Sequence, residues 1–349
     1  MSPIQQMLLG LGAVLQKMRG DKGLFVAGFA GGFANNDIGS SVSVQTISTG
    51  AASTNWGSVG ADSFNGCSLS DGSNVYHHIG LYKPGWPPGA QYQAYMYYVK
   101  LVVATGSNAG DSGDLQPDGQ RSRHECKGAT NGNRGAFMGG TDYGSGSGFT
   151  GKKIDYFDFA TLGNTTNFGN LLDQRTGCAA PGNAGNKSRQ LLYSGTTDTT
   201  IKRIEYINLD TTSDASDFGD YDYNPLGGNA YTEGRPENCM TSNDTRALFA
   251  GGKRSGDPIT YIQYVTIDTT SNTSTFGDLL SGYYHATTLM GAYSNDDKAM
   301  FAGGERGTSG QISSGYTRTS VVTIDTTGNA SQKSNMYTGR AAGGSASGD

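Results

Sequence analysis

Ala247-Leu248-Phe249-Ala250-Gly251-Gly252 returns as Ala299-Met300-Phe301-Ala302-Gly303-Gly304. The same run stands earlier as Gly135-Ala136-Phe137-Met138-Gly139-Gly140. Weaker copies are Gln190-Leu191-Leu192-Tyr193-Ser194-Gly195, Gly23-Leu24-Phe25-Val26-Ala27-Gly28 and a stretch ending Ile79-Gly80. The closing glycines, at 28, 80, 140, 195, 252 and 304, recur every 52 to 60 residues. Self-similarity at such a period marks a solenoid or a propeller.

Two further landmarks follow each copy. Tyr261-Ile262-Gln263-Tyr264-Val265-Thr266-Ile267-Asp268-Thr269-Thr270 matches Ile204-Glu205-Tyr206-Ile207-Asn208-Leu209-Asp210-Thr211-Thr212 and Val321-Val322-Thr323-Ile324-Asp325-Thr326-Thr327. Next comes an aromatic-Gly-Asp/Asn pattern: Phe168-Gly169-Asn170, Phe218-Gly219-Asp220 and Phe276-Gly277-Asp278, with Trp56-Gly57 and Ser112-Gly113-Asp114 as variants and Lys333-Ser334-Asn335 as a decayed form. The apolar run ended by Gly-Gly reads as a strand with a bulge or close approach at its end. The second landmark alternates apolar and polar residues, as a half-buried strand does. The aromatic-Gly segment supplies a third strand. Small-residue stretches such as Gly177-Cys178-Ala179-Ala180 and Leu289-Met290-Gly291-Ala292-Tyr293 supply a fourth. Four short strands per unit make a propeller blade.

The ends of the chain decide between a ring and an open solenoid. The first unit starts in mid-blade at Asp21-Lys22-Gly23-Leu24-Phe25, aligned with Asp297-Lys298-Ala299-Met300-Phe301. The last residues, from Arg340 to Asp349, match only the small-residue strand. The C-terminal strand is therefore expected to complete the sheet opened by the first, which removes a free edge. The sequence predicts an all-β, six-bladed propeller over residues 21–349, with units beginning near 21, 74, 134, 189, 246 and 298, preceded by a short N-terminal segment, 1–20. An open β-solenoid is the alternative.

Composition agrees. There are 55 glycines in 349 residues and only 16% charged residues, too little helix-surface charge for a helical bundle. The 13 Phe and 20 Tyr, set in short Val/Ile-containing runs, are strand material rather than a solvated tail. A net charge of −5 gives no basic footprint for nucleic acid. No apolar run approaches the eighteen or so residues of a membrane span, so no membrane insertion is expected. Met1 to Leu15 lacks the basic start and the small-residue cleavage site of a signal peptide.

The motifs that tempt a chemical reading have simpler ones. Asp114, Asp220 and Asp278 recur with the blades in no calcium-loop spacing, so turn capping is the expectation and no metal or cofactor is assigned. Cys67, Cys126, Cys178 and Cys239 step with the repeat and read as small buried residues of the inner strand, not a disulfide or zinc set. His77, His78, His124 and His285 form no catalytic pattern, and no acid pair appears, so no enzyme is expected. Arg19-Gly20-Asp21 is too short to carry an adhesion reading.

Two places stand out from the repeat. The second unit holds Tyr82-Lys83-Pro84-Gly85-Trp86-Pro87-Pro88-Gly89, then Tyr92 and Tyr95, amphipathic rings of the kind that contact protein or sugar surfaces. Tyr82, Trp86, Tyr92 and Tyr95 are the candidate contact loop. The N-terminal segment would expose Ile4, Met7, Leu8, Leu9 and Leu11, whose burial on a partner would contribute about 7–15 kcal/mol before ordering costs. Docking on a partner is expected over packing across the propeller's own face.

The opening Ile4-Gln5-Gln6-Met7-Leu8-Leu9-Gly10 is similar to the start of many structural proteins of marine tailed bacteriophages, especially those infecting cyanobacteria. The Phe-Ala-Gly-Gly, Ile-Glu-Tyr-Ile and Asp-Phe-Gly-Asp units resemble kelch-like repeats in the tail-fibre and virion proteins of the same phages. The resemblance implies a non-enzymatic virion component, made in the host cytoplasm and carried on the particle as a tail-fibre, tail or neck component. It implies other virion proteins as partners, in multiple copies, with contact to a host-surface glycan or protein. A glycan-binding lectin-like module and a capsid-decorating protein are the alternatives, and a sugar-active enzyme stands behind both.

Overall fold

The computed structural model describes residues 18–29, 38–82, 93–94, 96–106, 108–115, 123–142, 151–175, 184–193, 201–221, 238–254, 257–280, 290–306, 314–315, 317–339 and 341–349. Every regular element among them is a strand, and the strands form a six-bladed β-propeller. From the axis outward, blade 1 is Gly344–Gly348, Lys22–Phe29, Ile38–Thr46 and Thr54–Ser58. Blade 2 is Cys67–Ser70, Asn74–His78, Tyr97–Val102 and Gly110–Asp114; blade 3 is Lys127–Thr130, Arg134–Met138, Lys153–Asp158 and Thr166–Asn170. Blade 4 is Ala184–Gly185, Gln190–Leu192, Arg203–Ile207 and Ser216–Asp220. Blade 5 is Cys239–Ser242, Arg246–Ala250, Tyr261–Thr266 and Ser274–Asp278, and blade 6 is Gly291–Ser294, Lys298–Ala302, Arg318–Thr323 and Ser331–Asn335.

All pairings within the blades are antiparallel, and blade 1 is made from both ends of the chain. Lys22 pairs with Gly348, Leu24 with Ala346 and Val26 with Gly344. This closure is the one the repeat arithmetic predicts. The described inner strand of blade 4 is Ala184–Gly185, with Ala184 in register with Leu191, and the stretch Gly177–Ala180 lies outside the described residues.

The landmarks now have physical causes. Gly251 and Gly252 both adopt positive φ (68° and 97°), as do Gly303 and Gly304, so the chain leaves the second strand through a conformation side chains resist. The register shifts once between the third and fourth strands, between Ile154/Asp155, Ile204/Glu205 and Ile262/Gln263 in blades 3 to 5. That bulge turns Phe168, Phe218 and Phe276 into the core, where each is 2–3% exposed. The apolar cores lie between neighbouring blades; Tyr193 and Phe218 of blade 4 pack with Phe249 and Val265 of blade 5, for example.

Candidate functional site

The residues that repeat most faithfully are those that join one blade to the next. In the turn after the inner strand, Asn131 Oδ1 accepts the backbone N–H groups of Asn133 and Arg134, while its amide donates to Asp210 Oδ1 of blade 4 at 2.8 Å. Asn186 reaches Asp268 and Asn243 reaches Asp325 in the same way, at 2.9 and 3.0 Å. Beside each asparagine an arginine adds a second link. Arg134, Arg189 and Arg246 lie 4.9–5.0 Å over Tyr156, Tyr206 and Tyr264 of their own blades. Their guanidinium groups donate to the Leu209, Ile267 and Ile324 carbonyls of the next blade. The Ile-Asp-Thr-Thr landmark is thus the receiving half of a clasp.

The Phe-Gly-Asp landmark is a second joint, at the outer strand. A Cβ on Gly169, Gly219 or Gly277 would lie 2.2–2.3 Å from a carbonyl oxygen in the next blade's turn. The backbone N–H after each glycine then donates across the joint, Asn170 to Asp214, Asp220 to Asn272 and Asp278 to Asn329. The capping side chain therefore comes from the neighbouring blade. The Asp of the landmark contributes its backbone N–H, a correction to the expectation that its carboxylate does the capping.

At the axis, Ser and Thr hydroxyls stitch the inner strands. Ser345 Oγ donates to Ala292 O at 2.8 Å, Ser294 Oγ to Ser242 O at 2.6 Å and Ser242 Oγ to Gly185 O at 2.9 Å. Lys127 of blade 3 is fully buried and reaches past blade 4 to donate to the Asn238 carbonyl at 3.2 Å. Arg19 enters from the chain start, 9% exposed, and donates to Asp244 Oδ1 at 2.7 Å, Ser242 Oγ, Asn243 O and Gly185 O. Arg19 and Asp21 are therefore both held by the ring, which leaves no adhesion tripeptide on offer.

The described cysteines are free thiols, but they are not equivalent neighbours held apart. Cys67 and Cys239 share one register position, opposite His78 and Ala250; in blade 3 Lys127 takes it, opposite Met138. Cys126 stands one residue earlier, and that offset lets its side chain hydrogen-bond with Cys67. Burial, then the contact with Cys126, holds the Cys67 thiol well above its ordinary pKa. Burial also opposes ionisation of Cys126, but the bond from Cys67 and the Arg123 charge outweigh it and lower its pKa. Arg123 is itself paired with buried Asp155 at 2.8 Å. Cys239 is pushed up to about 12 by burial. Cys178 lies outside the described residues.

Sequence reading missed a buried ion pair in blade 4. Arg175 and Glu205 are both fully buried and 2.7 Å apart, and Glu205 also accepts the Leu172 and Asp173 backbone N–H groups. Its periodic signal is weak: blade 3 has a counterpart in Arg123 with Asp155, but the acid differs, and Gln263 takes the place of Glu205 in blade 5.

Of the candidate contact loop, Tyr82 lies on a short ribbon in which Leu81–Tyr82 pairs with Gln93–Ala94 and with Ser63–Phe64. Trp86, Tyr92 and Tyr95 lie outside the described residues, as do Ile4, Met7, Leu8, Leu9 and Leu11. Beyond the loop runs the strand Tyr97–Val102, with Tyr98 buried and its hydroxyl donating to Gly163 O at 2.7 Å.

The clasp fails at two junctions. Where blades 4 to 6 place Asp210, Asp268 and Asp325, blades 2 and 3 have Ala104 and Ala160. A groove of about 620 Å³ lies between blades 1 and 2, lined by Lys22, Val44, Thr54, Asn55, Trp56 and Ala104 among others. A second, of about 470 Å³, lies between blades 2 and 3, lined by Asp71, Asn74, Tyr76, Lys100, Phe159 and Ala160 among others. Against known proteins, the chain matches no family model and no curated protein.

Proposed function

We propose that this chain is a non-enzymatic structural component of a tailed-bacteriophage particle, docked through its N-terminal segment and displaying the propeller as a rigid platform. One observation supports it above the rest. The ring closes through its own C-terminal strand, and Arg19 fixes the point where the preceding segment joins, at the axis and beside the Asn243 turn. The ribbon carrying Tyr82 begins at the opposite ends of the strands, beyond His78. A chain start held beside the Asn243 turn, and a ribbon of Leu81–Tyr82 with Gln93–Ala94 rooted at the other ends of the strands, support the reading of a display protein. The buried charged groups serve blade packing: Arg175–Glu205 and Arg123–Asp155 are internal pairs. The resemblance of the opening and of the repeats to phage virion proteins adds the particle to this reading.

The test is incorporation. Particles assembled with the full chain are expected to retain it through sedimentation, whereas a chain lacking residues 2–17 stays in the soluble fraction as a folded ring. Normal incorporation of the truncated chain would remove the docking assignment.

A further inference from the structure

We propose that the groove between blades 1 and 2 is a carbohydrate site, in which a pyranose ring lies against Trp56. This site is independent of the particle reading, and it lies where the other blades carry different side chains. In blades 3, 4 and 5 the third strand carries Tyr156, Tyr206 and Tyr264, each packed edge-on against the landmark Phe and covered by an arginine. In blade 1 the residue opposite Thr54, where those tyrosines would stand, is Val44. The residue in the arginine position is Lys22. The landmark Phe is Trp56.

The three changes act together. Tyr to Val removes a six-membered ring, Arg to Lys removes the planar group above it, and Ala104 removes the clasp aspartate of the next blade. What remains is the groove of about 620 Å³, within the range of small-ligand sites. Its wall is a ring against a rim of donors and acceptors. Trp56 is half-buried and its indole N–H is committed to the Val103 carbonyl at 3.1 Å, so the part of the side chain left for a ligand is apolar surface. Lys22, Thr46, Thr54, Asn55 and Thr105 supply the polar edge. A pyranose matches both halves, with C–H groups for the indole and hydroxyls for the rim. An unsubstituted aromatic ligand would leave the hydroxyl-bearing rim unused. The neighbouring groove between blades 2 and 3 does not offer the same surface, because buried Tyr76 there already has Phe159 stacked on it at 4.8 Å.

The experiment uses the full chain carrying Trp86→Phe, so that Trp56 is the remaining tryptophan of two. Methyl α- and β-hexopyranosides and methyl N-acetylhexosaminides are titrated one at a time to about 100 mM, read by Trp56 fluorescence and by calorimetry. At least one sugar is expected to shift the emission with a Kd of about 0.1–10 mM, the strength one stacked ring with a few hydrogen bonds gives. Trp56→Ala is expected to weaken it at least tenfold. Val44→Tyr, which restores the repeat's ring and fills the groove, is expected to abolish binding while leaving the melting temperature unchanged or higher. No response from any sugar in the panel, or sugar binding that survives Val44→Tyr in a folded protein, would overturn the proposal.

Discussion

The side-chain amide of Asn295 donates to Asp21 Oδ1 at 2.9 Å across 274 residues of chain. It is the ring-closing counterpart of the Asn131–Asp210, Asn186–Asp268 and Asn243–Asp325 clasps, and it is built differently. Blade 1 has Ser48 at the aspartate position, and Asp21 fills the gap from the other end of the blade by also accepting the Ser48 N–H and hydroxyl. Lys298 completes it by donating to the Ser48 carbonyl at 2.7 Å. The closing joint thus recruits a carboxylate from the chain start to reproduce what the internal joints encode in place.

Replacing Asp21 by Ala should therefore act on the whole ring. It leaves three donors without their partner, and an expected loss of about 1–3 kcal/mol follows from the ordinary cost of unmade hydrogen bonds. Urea denaturation checks it. A double-mutant cycle with Asn295→Ala should show the two effects to be less than additive.

The landmark Phe and Gly are separable. Phe218→Ala and Phe276→Ala each remove a side chain that is 2–3% exposed, so each should cost about 3–5 kcal/mol. Gly277→Ala adds a single methyl, but that methyl would sit 2.2 Å from Gly328 O in the next blade, and backbone must move to admit it. A loss of about 1–3 kcal/mol is expected, in line with overpacking elsewhere. Denaturant midpoints for the three variants test both statements; a neutral Gly277→Ala would mean the joint is not tight.

In blade 4, Glu205→Gln should strand the Arg175 guanidinium in a fully buried setting. Breaking such a pair from one side costs about 3–5 kcal/mol, more than either residue's packing would suggest. Arg175→Met with Glu205→Leu, which removes both charges, should recover much of that loss. Thermal melts of the single and double variants compare the two.

His77 gives the ring an acid-side weakness. Burial first, and then its neighbour His78, lowers its pKa to about 3 from 6.5. The folded protein keeps His77 neutral while the unfolded chain takes up a proton below pH 6.5. Stability from this group is therefore complete above that value and falls as pH drops toward 3, by up to about 1.4 kcal/mol per pH unit. Melting temperatures from pH 7 to 4 should fall less steeply for His77→Gln than for the wild type. Parallel slopes would exclude His77 as the source.

What the sequence made legible is what the joints repeat. Gly251-Gly252, Asp268 and Phe276-Gly277 recur because each blade must meet its neighbour in the same way, and a contact repeated by symmetry appears as periodicity. The closing strand was legible for the same reason, since the residues after Arg340 match one strand only. The parts that stayed hidden are contacts that few blades share. Arg175 with Glu205 has its counterpart in Arg123 with Asp155, but the acid differs and blade 5 has Gln263 there. Cys67 and Cys126 step with the repeat, yet their contact depends on a one-residue offset. Arg19 with Asp244 joins the chain start to blade 5. The groove at Trp56 is intermediate. Its substitutions, Val44, Lys22 and Ala104, are visible as departures from the repeat, but that they fall around one space is evident only from the register of blade 1 against blade 2.

Ring closure is most directly measured by a cross-link between its two ends. Leu24 and Ala346 are in register, 322 residues apart, and both are buried in the same cluster. In the Leu24→Cys/Ala346→Cys variant, mild oxidation is expected to give a monomer in which digestion releases a disulfide-linked peptide pair containing residues 24 and 346. Cross-links found only between separate chains, or none in a folded protein, would contradict the closed six-bladed ring.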